Sequence, residues 1–214
     1  MSFKQGLHLD RETIRSHGRV MRAASDVTIP LRIPGRSLCV PASNQGTTSE
    51  CALYATWSKI ERDRWATTGV VEQLDPHPGY VKAKEIDGID GEGTTLDAAF
   101  QAAILLGLIP PDTEPIIITD VFTARRYLHR WGSVIVGLQI DEGWYAAEPS
   151  GWIKPYGRPL GGHAVNYVEY SNDYDSYDCV DNSWGGSQGW RGFNRFEHAY
   201  FEKMFVYGLT WEPA

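Results

Sequence analysis

Apolar positions change their period about two-thirds of the way along the chain. From residue 51 to residue 131 they recur at helical spacing. Beyond 132 they fall in short β-branched or aromatic runs parted by Gly, Asn or Asp. Leu53, Trp57 and Ile60 sit at i, i+4 and i+7, which predicts a helix starting near Cys51 with one buried stripe and with Lys59, Arg62 and Asp63 on its other faces. Thr47, Thr48 or Ser49 can cap that helix, and Thr47 with Glu50 reads as a capping box. Residues 69–93, with Pro76, Pro78 and several glycines, read as loop. A second helix is predicted over about 95–106, from Thr94 and Asp97 to Gly107, and a third over about 120–131. Strands are predicted at 133–140, 163–170, 176–182, 191–196 and 204–210. Helices first and strands later predict an α+β fold of two layers. Upstream, Pro30, Pro34 and Pro41 make 26–44 extended. Residues 1–25 carry Arg11, Arg15, Arg19 and Arg22 and read as an arm or a short helix on the body.

Composition narrows the function classes. A chain of 214 residues allows one large domain or two small lobes. Its net charge of −7 argues against non-specific nucleic-acid binding, which needs a basic footprint. No run approaches the roughly 18 apolar residues of a membrane span. Met1–Asp10 lacks the apolar core of a signal peptide, so a cytoplasmic setting is expected. Three cysteines, Cys39, Cys51 and Cys179, cannot all pair, which fits a reducing compartment; Cys39 and Cys179 read as buried, inert thiols. His8, His17, His77, His129 and His198 show no metal-ligand spacing, so no metal and no cofactor are expected. The acidic run Asp173, Asp175, Asp178 reads as a solvated hairpin tip.

Four residues carry candidate chemistry. Cys51 stands where a helix begins, and the free amides and dipole there favour a thiolate, lowering its pKa below about 8.5. A thiolate needs a base, and His163 opens a strand directly after Gly161 and Gly162, which allow close backbone approach. Asn182 offers an amide oxygen to orient that imidazole, and Trp184 can shield the bond from water. Gln45 offers a side-chain donor for an oxyanion beside the Cys51 amide.

At these residues the sequence resembles the papain-like cysteine peptidases. The blocks NQGTTSECALYA (44–55), GGHAVNYVEY (161–170) and NSWGGSQGWRGF (182–193) occur in family order, with the Gln-to-Cys spacing kept. The segment GIDGEGTTLDAAFQAAILLGLI (88–109) resembles the piece that lines the family's substrate cleft. The resemblance spans about residues 26–207. It implies Cys51 as nucleophile, His163 as acid/base, Asn182 as orienter and Gln45 as oxyanion donor. It further implies Gly91, Gly93, Ala164 and Trp184 at the substrate cleft. The implied architecture is an arm over 1–25 followed by a peptidase domain over 26–214, with a helical lobe about 45–110 and a β-rich, barrel-like lobe about 111–214.

Some positions depart from the family pattern. Thr48 stands where secreted members carry a disulfide cysteine, and the stretch before Asp26 is shorter than their prosegment. Both point to the intracellular bacterial or phage branch. Glu50 and Asp181 add acidic charge; at the cleft rim they would invite the basic arm to lie across it. The expected partner is a peptide or protein substrate, with no nucleic acid and no membrane, and the sequence carries no sign of oligomeric state. Two alternatives use the same residues: a hydrolase of peptidoglycan peptides, and a catalytically silent binding protein that keeps the fold.

Overall fold

The computed structural model describes residues 6–8, 19–20, 28–36 and 41–213. Among the described residues, five α-helices are seen: α1 (Cys51–Thr68), α2 (His77–Asp87), α3 (Leu96–Leu105), α4 (Val121–Trp131) and α5 (His198–Met204). The strands are β1 (Arg19–Val20), β2 (Arg32–Ile33), β3 (Ile116–Ile118), β4 (Val134–Asp141), β5 (Pro159–Ser171), β6 (Tyr177–Asp181), β7 (Phe193–Phe196) and β8 (Phe205–Thr210). They form one sheet in the order β1-β3-β8-β4-β5-β6-β7, with β2 pairing alongside β5. Its pairings are antiparallel except β1 with β3. The fold is α+β.

Among the described residues, a small apolar cluster lies around Val168 and Tyr177, and two large ones flank the sheet. One gathers α1, α2 and α3 around Leu53, Trp57 and Phe100 against Ile135 and Leu209 of the sheet. The other packs α4 and α5 through Leu128 and Phe201 against Val136, Val165 and Val180. Among the described residues, no helix is long and apolar enough to cross a membrane.

Several local expectations need correction. The stretch 69–93 contains α2. Pro76 is its N-cap and Pro78 lies in its first turn, where a missing N–H costs nothing. Gly79 is there because a Cβ would sit 2.4 Å from the Trp57 ring. Residues 47–50 form no capping box; Glu50 is the N-cap of α1 and makes no side-chain cap. At α3, Thr95 rather than Thr94 caps, accepting from the Ala98 amide at 3.1 Å. Asp178 is no hairpin-tip residue. It is fully buried and accepts from Arg125 at 2.7 Å and from the hydroxyl of Tyr167. Asp173 and Asp175 do lie exposed. Cys179 is buried, and Cys39 lies outside the described residues.

The polar faces of α1 are also buried, against the expectation of a single inward stripe. Lys59 reaches Asp63 at 3.0 Å and lies over the Trp211 ring. Arg62 donates to the carbonyls of Gly35 at 2.6 Å and Gly132 at 2.9 Å. Glu61 accepts from the Leu74 amide at 2.6 Å. Burial pushes the Glu61 carboxyl up to about 7 from an ordinary 4.5. The folded chain therefore keeps a proton that the unfolded chain has already released. Stability from this group is present below the lower value and drains away as pH rises towards the higher one. Glu61→Gln keeps the acceptor and never ionises. It should raise unfolding stability by about 2 kcal/mol near pH 8 and by little near pH 5. Urea unfolding at both pH values measures this, and an equal shift at the two would contradict it.

Candidate active site

Cys51 is the first residue of α1, so its amide and that of Ala52 have no partner within the helix. Both donate towards the Cys51 sulfur, as does the amide of Ala164, the residue after His163. The helix start and β5 therefore meet at the thiol. Glu50, directly before Cys51, is buried and turned to His77, whose Nδ1 lies 2.9 Å from its carboxylate. That carboxylate is not a cleft-rim charge.

His163 is fully buried on β5, and its Nε2 lies 2.9 Å from Asn182 Oδ1. Nδ1 has no hydrogen-bond partner among the described residues. Trp184 covers the imidazole with ring centroids 4.8 Å apart, and Trp144 meets it edge-on at 5.5 Å. Asn182 follows the end of β6 and is held from behind. Its Nδ2 donates to Asn194 Oδ1 at 2.9 Å, Asn194 Nδ2 to Gln188 Oε1 at 2.9 Å, and Gln188 Nε2 to the Trp144 carbonyl at 2.7 Å. The Ser183 amide donates to Asn182 Oδ1 at 2.8 Å. Sequence reading did not single out Asn194 or Gln188. Both lie within or beside the third block, where a polar residue among aromatics is the available signal.

Gln45 is buried and fixed at both ends. Its Nε2 donates to the Thr48 carbonyl at 2.7 Å, and its Oε1 accepts from Ser183 Oγ at 2.5 Å. Its backbone amide also bonds the Ser183 carbonyl at 2.8 Å, tying the loop before α1 to the segment after β6.

An extended piece of the chain's own N-terminal region lies across this cluster. The Gly6 carbonyl accepts from the Thr94 amide at 2.8 Å, the His8 amide donates to the Thr94 carbonyl at 3.0 Å, and the Leu7 amide donates to the Gly162 carbonyl at 3.3 Å. Leu7 pairs with Thr94 in parallel sense. The Gly6 amide donates towards the Cys51 sulfur. No side chain fits at position 6, because a Cβ would lie 2.0 Å from the Ser49 carbonyl oxygen. Gly93 is equally constrained: its φ is +88° and its Cβ would lie 2.2 Å from the Gly6 oxygen.

This cover changes the electrostatics expected of the thiol. Cys51 is fully buried, and desolvation raises its pKa although four backbone amides pull it down. Burial also pushes His163 down to about 4, against the Asn182 bond that pulls the other way. Burial favours the neutral form of both the Cys51 thiol and the His163 imidazole, and the lowered Cys51 pKa read from the helix start is overridden.

The structure brings Cys51, His163, Asn182, Gln45, Ala164, Trp184 and Gly93 into one cluster. Gly91 is exposed, with open space where a side chain would stand. Trp184 is buried over His163 rather than open to a cleft. Asp181 lies inside, not at a rim, and the arm meets the site through backbone groups of 6–8. Arg11, Arg15 and Arg22 lie outside the described residues, as does the side chain of Arg19.

No protein-family model matches the sequence, and no curated protein does either. Solved structures do match. Xylellain, a cysteine protease from Xylella fastidiosa, is 16% identical with a TM-score of 0.77, covering 98% of this chain and 96% of that one. ProCathepsin B S9 from Trypanosoma congolense is 13% identical with a TM-score of 0.77, covering 98% and 86%. Procathepsin L2 proteinase from the larval midgut of Tenebrio molitor is 16% identical with a TM-score of 0.72, covering 98% and 78%. At that identity the likeness speaks for the fold, and it agrees with the α+β architecture described above: this chain has the papain-like fold.

Proposed function

We propose that the chain is a thiol peptidase held in a covered state by its own residues 6–8. The observation that carries this reading is the peptide in the site. An extended backbone hydrogen-bonds to Thr94 and Gly162 while its amide faces the Cys51 sulfur, so the site accommodates a peptide as such. The Gly6 carbonyl is committed to Thr94 and is not presented to Cys51 for attack, so this peptide covers the thiol without being a substrate.

With the cover displaced, water and substrate enter and the desolvation that keeps both groups neutral is relieved. The Cys51 proton passes to His163 Nδ1, and the thiolate attacks a substrate carbonyl carbon. The developing oxyanion meets the Cys51 amide and the side-chain amide of Gln45. The imidazolium returns its proton to the leaving amine, and the C–N bond breaks to leave an acyl-enzyme. Water, deprotonated by His163, then adds to the acyl carbon; the C–S bond breaks, the acid leaves, and the imidazolium proton returns to the Cys51 sulfur. Asn182 keeps the ring in plane throughout. Thr48 at the disulfide position and the odd cysteine count support a reducing, intracellular setting of bacterial or phage type.

The cover gives the first test. In the full-length protein Cys51 should alkylate slowly with iodoacetamide, and only as pH rises past the ordinary thiol range. Gly6→Ala forces the segment off Ser49, so alkylation near pH 6 should rise by about tenfold or more, with Cys179 slow in both proteins. Peptide mapping reads this; no difference between the two proteins would remove the cover from the reading.

The second test concerns the reacting groups, in the Gly6→Ala background, with denatured protein and peptidoglycan stem peptides offered in parallel. Cys51→Ala and His163→Ala should each abolish turnover, and the double variant should be no worse than either. Asn182→Ala should lower kcat by about tenfold or more with KM little changed. Persistent hydrolysis in Cys51→Ala would show that another group is the nucleophile. Turnover confined to the stem peptides would reassign the substrate.

A further inference from the structure

Three elements deliver the reacting groups: α1 carries Cys51, β5 carries His163, and the end of β6 leads into Asn182. A single hydroxyl touches all three, at Ser58, seven residues or two turns beyond Cys51 on α1. Its Oγ donates to Asp181 Oδ2 at 2.8 Å, and Asp181 is the residue immediately before Asn182. The same Oγ accepts from Asn166 Nδ2 at 3.1 Å, and Asn166 lies on β5 three residues after His163. Asn166 and Asp181 are register partners across the β5–β6 ladder. Asn166 is fully buried, Asp181 nearly so.

Close packing alone does not fix this junction. A void of about 10 Å³ lies beside it, lined by Tyr54, Ser58, Ala164, Asp181 and Asn182 among others. Where atoms leave a gap, the hydrogen bonds hold the spacing. An ionised Asp181 makes the bond from Ser58 a charge-assisted one, stronger than a neutral pair. Burial raises the Asp181 carboxyl to about 6, against the Ser58 bond and the Arg62 guanidinium on α1, which favour the ionised form that prevails above that pH. Its charge in turn opposes ionisation of Glu61, also on α1.

We propose that Ser58, Asp181 and Asn166 form a positioning network that sets the spacing between Cys51, His163 and Asn182. The proposal rests on the thiol-peptidase reading of those three residues. None of the network residues is assigned contact with a reacting atom; each acts through the element it anchors.

The test uses full-length Gly6→Ala protein and whichever fluorogenic peptide it cleaves fastest from a mixed library. Ser58→Ala should lower kcat by about tenfold to a hundredfold with KM within about twofold, because misplaced reacting groups slow chemistry more than binding. Asp181→Ala should do the same. Asp181→Asn, which keeps an oxygen acceptor for Ser58, should recover most of the loss. Iodoacetamide profiles of Cys51 should move with kcat, losing reactivity near pH 6 in Ser58→Ala and regaining it in Asp181→Asn. Melting curves identify any variant that has not folded, and the conservative Ser58→Ala change serves if Asp181→Ala does not fold. A Ser58→Ala protein with unchanged kcat and an unchanged alkylation profile overturns the network. So does an Asp181→Asn protein no better than Asp181→Ala. If the Gly6→Ala parent shows neither Cys51-dependent turnover nor low-pH thiol reactivity, the peptidase reading itself falls and the network with it. An active parent with parent-like variants overturns the network alone.

Discussion

Helix α1 must be buried on faces that carry Lys59, Glu61 and Arg62, and the arrangement of the chain around it follows from that constraint. A buried charge or polar atom without a partner is costly, so each of these side chains has drawn in a distant segment. Arg62 takes the carbonyls of Gly35 and Gly132, Glu61 takes the amide of Leu74, and Lys59 takes Asp63 and the ring of Trp211. The pairings bring the extended segment before residue 36, the turn into β4, the approach to α2 and the residue just past β8 against one rod. Once that rod is fixed, its first residue, Cys51, is placed against β5.

At the candidate site, two opposing effects compete for the thiol, and burial wins. Four backbone amides, two of them at the helix start, favour a thiolate, yet desolvation outweighs them while residues 6–8 are in place. An uncharged pair is what a dry site favours. On the proposed reading, charge separation and access for a peptide arrive together, on removal of one backbone segment.

Much of this was legible in the residues. Leu53, Trp57 and Ile60 mark α1, the change of period after residue 131 marks the sheet, and the α+β class follows from their order. The blocks around Gln45, Cys51, His163 and Asn182 pointed to a cluster, and the geometry gathers them. What stayed hidden depends on partners remote in sequence. Pro76, Pro78 and Gly79 look like loop until the ring of Trp57 explains the glycine. Lys59, Arg62 and Asp178 look like surface until their partners are seen. The approach of Gly6 to Ser49 and Gly93 has no local signature, because it is set by the absence of side-chain atoms on two glycines far apart in the chain.

The amides behind His163 form a one-way street. At one end the Trp144 carbonyl can only accept, which obliges Gln188 to present nitrogen there and oxygen to Asn194. Asn194 must then offer its own oxygen to Asn182 Nδ2, and at the far end the Ser183 amide, which can only donate, agrees in requiring the Asn182 oxygen on its side. Neither end allows any of the three to be flipped alone. His163 is left facing an oxygen through Nε2, so that nitrogen must carry the hydrogen, and the lone pair of the neutral ring falls on Nδ1. A main-chain carbonyl nineteen positions before the histidine thus decides which edge of its ring is basic.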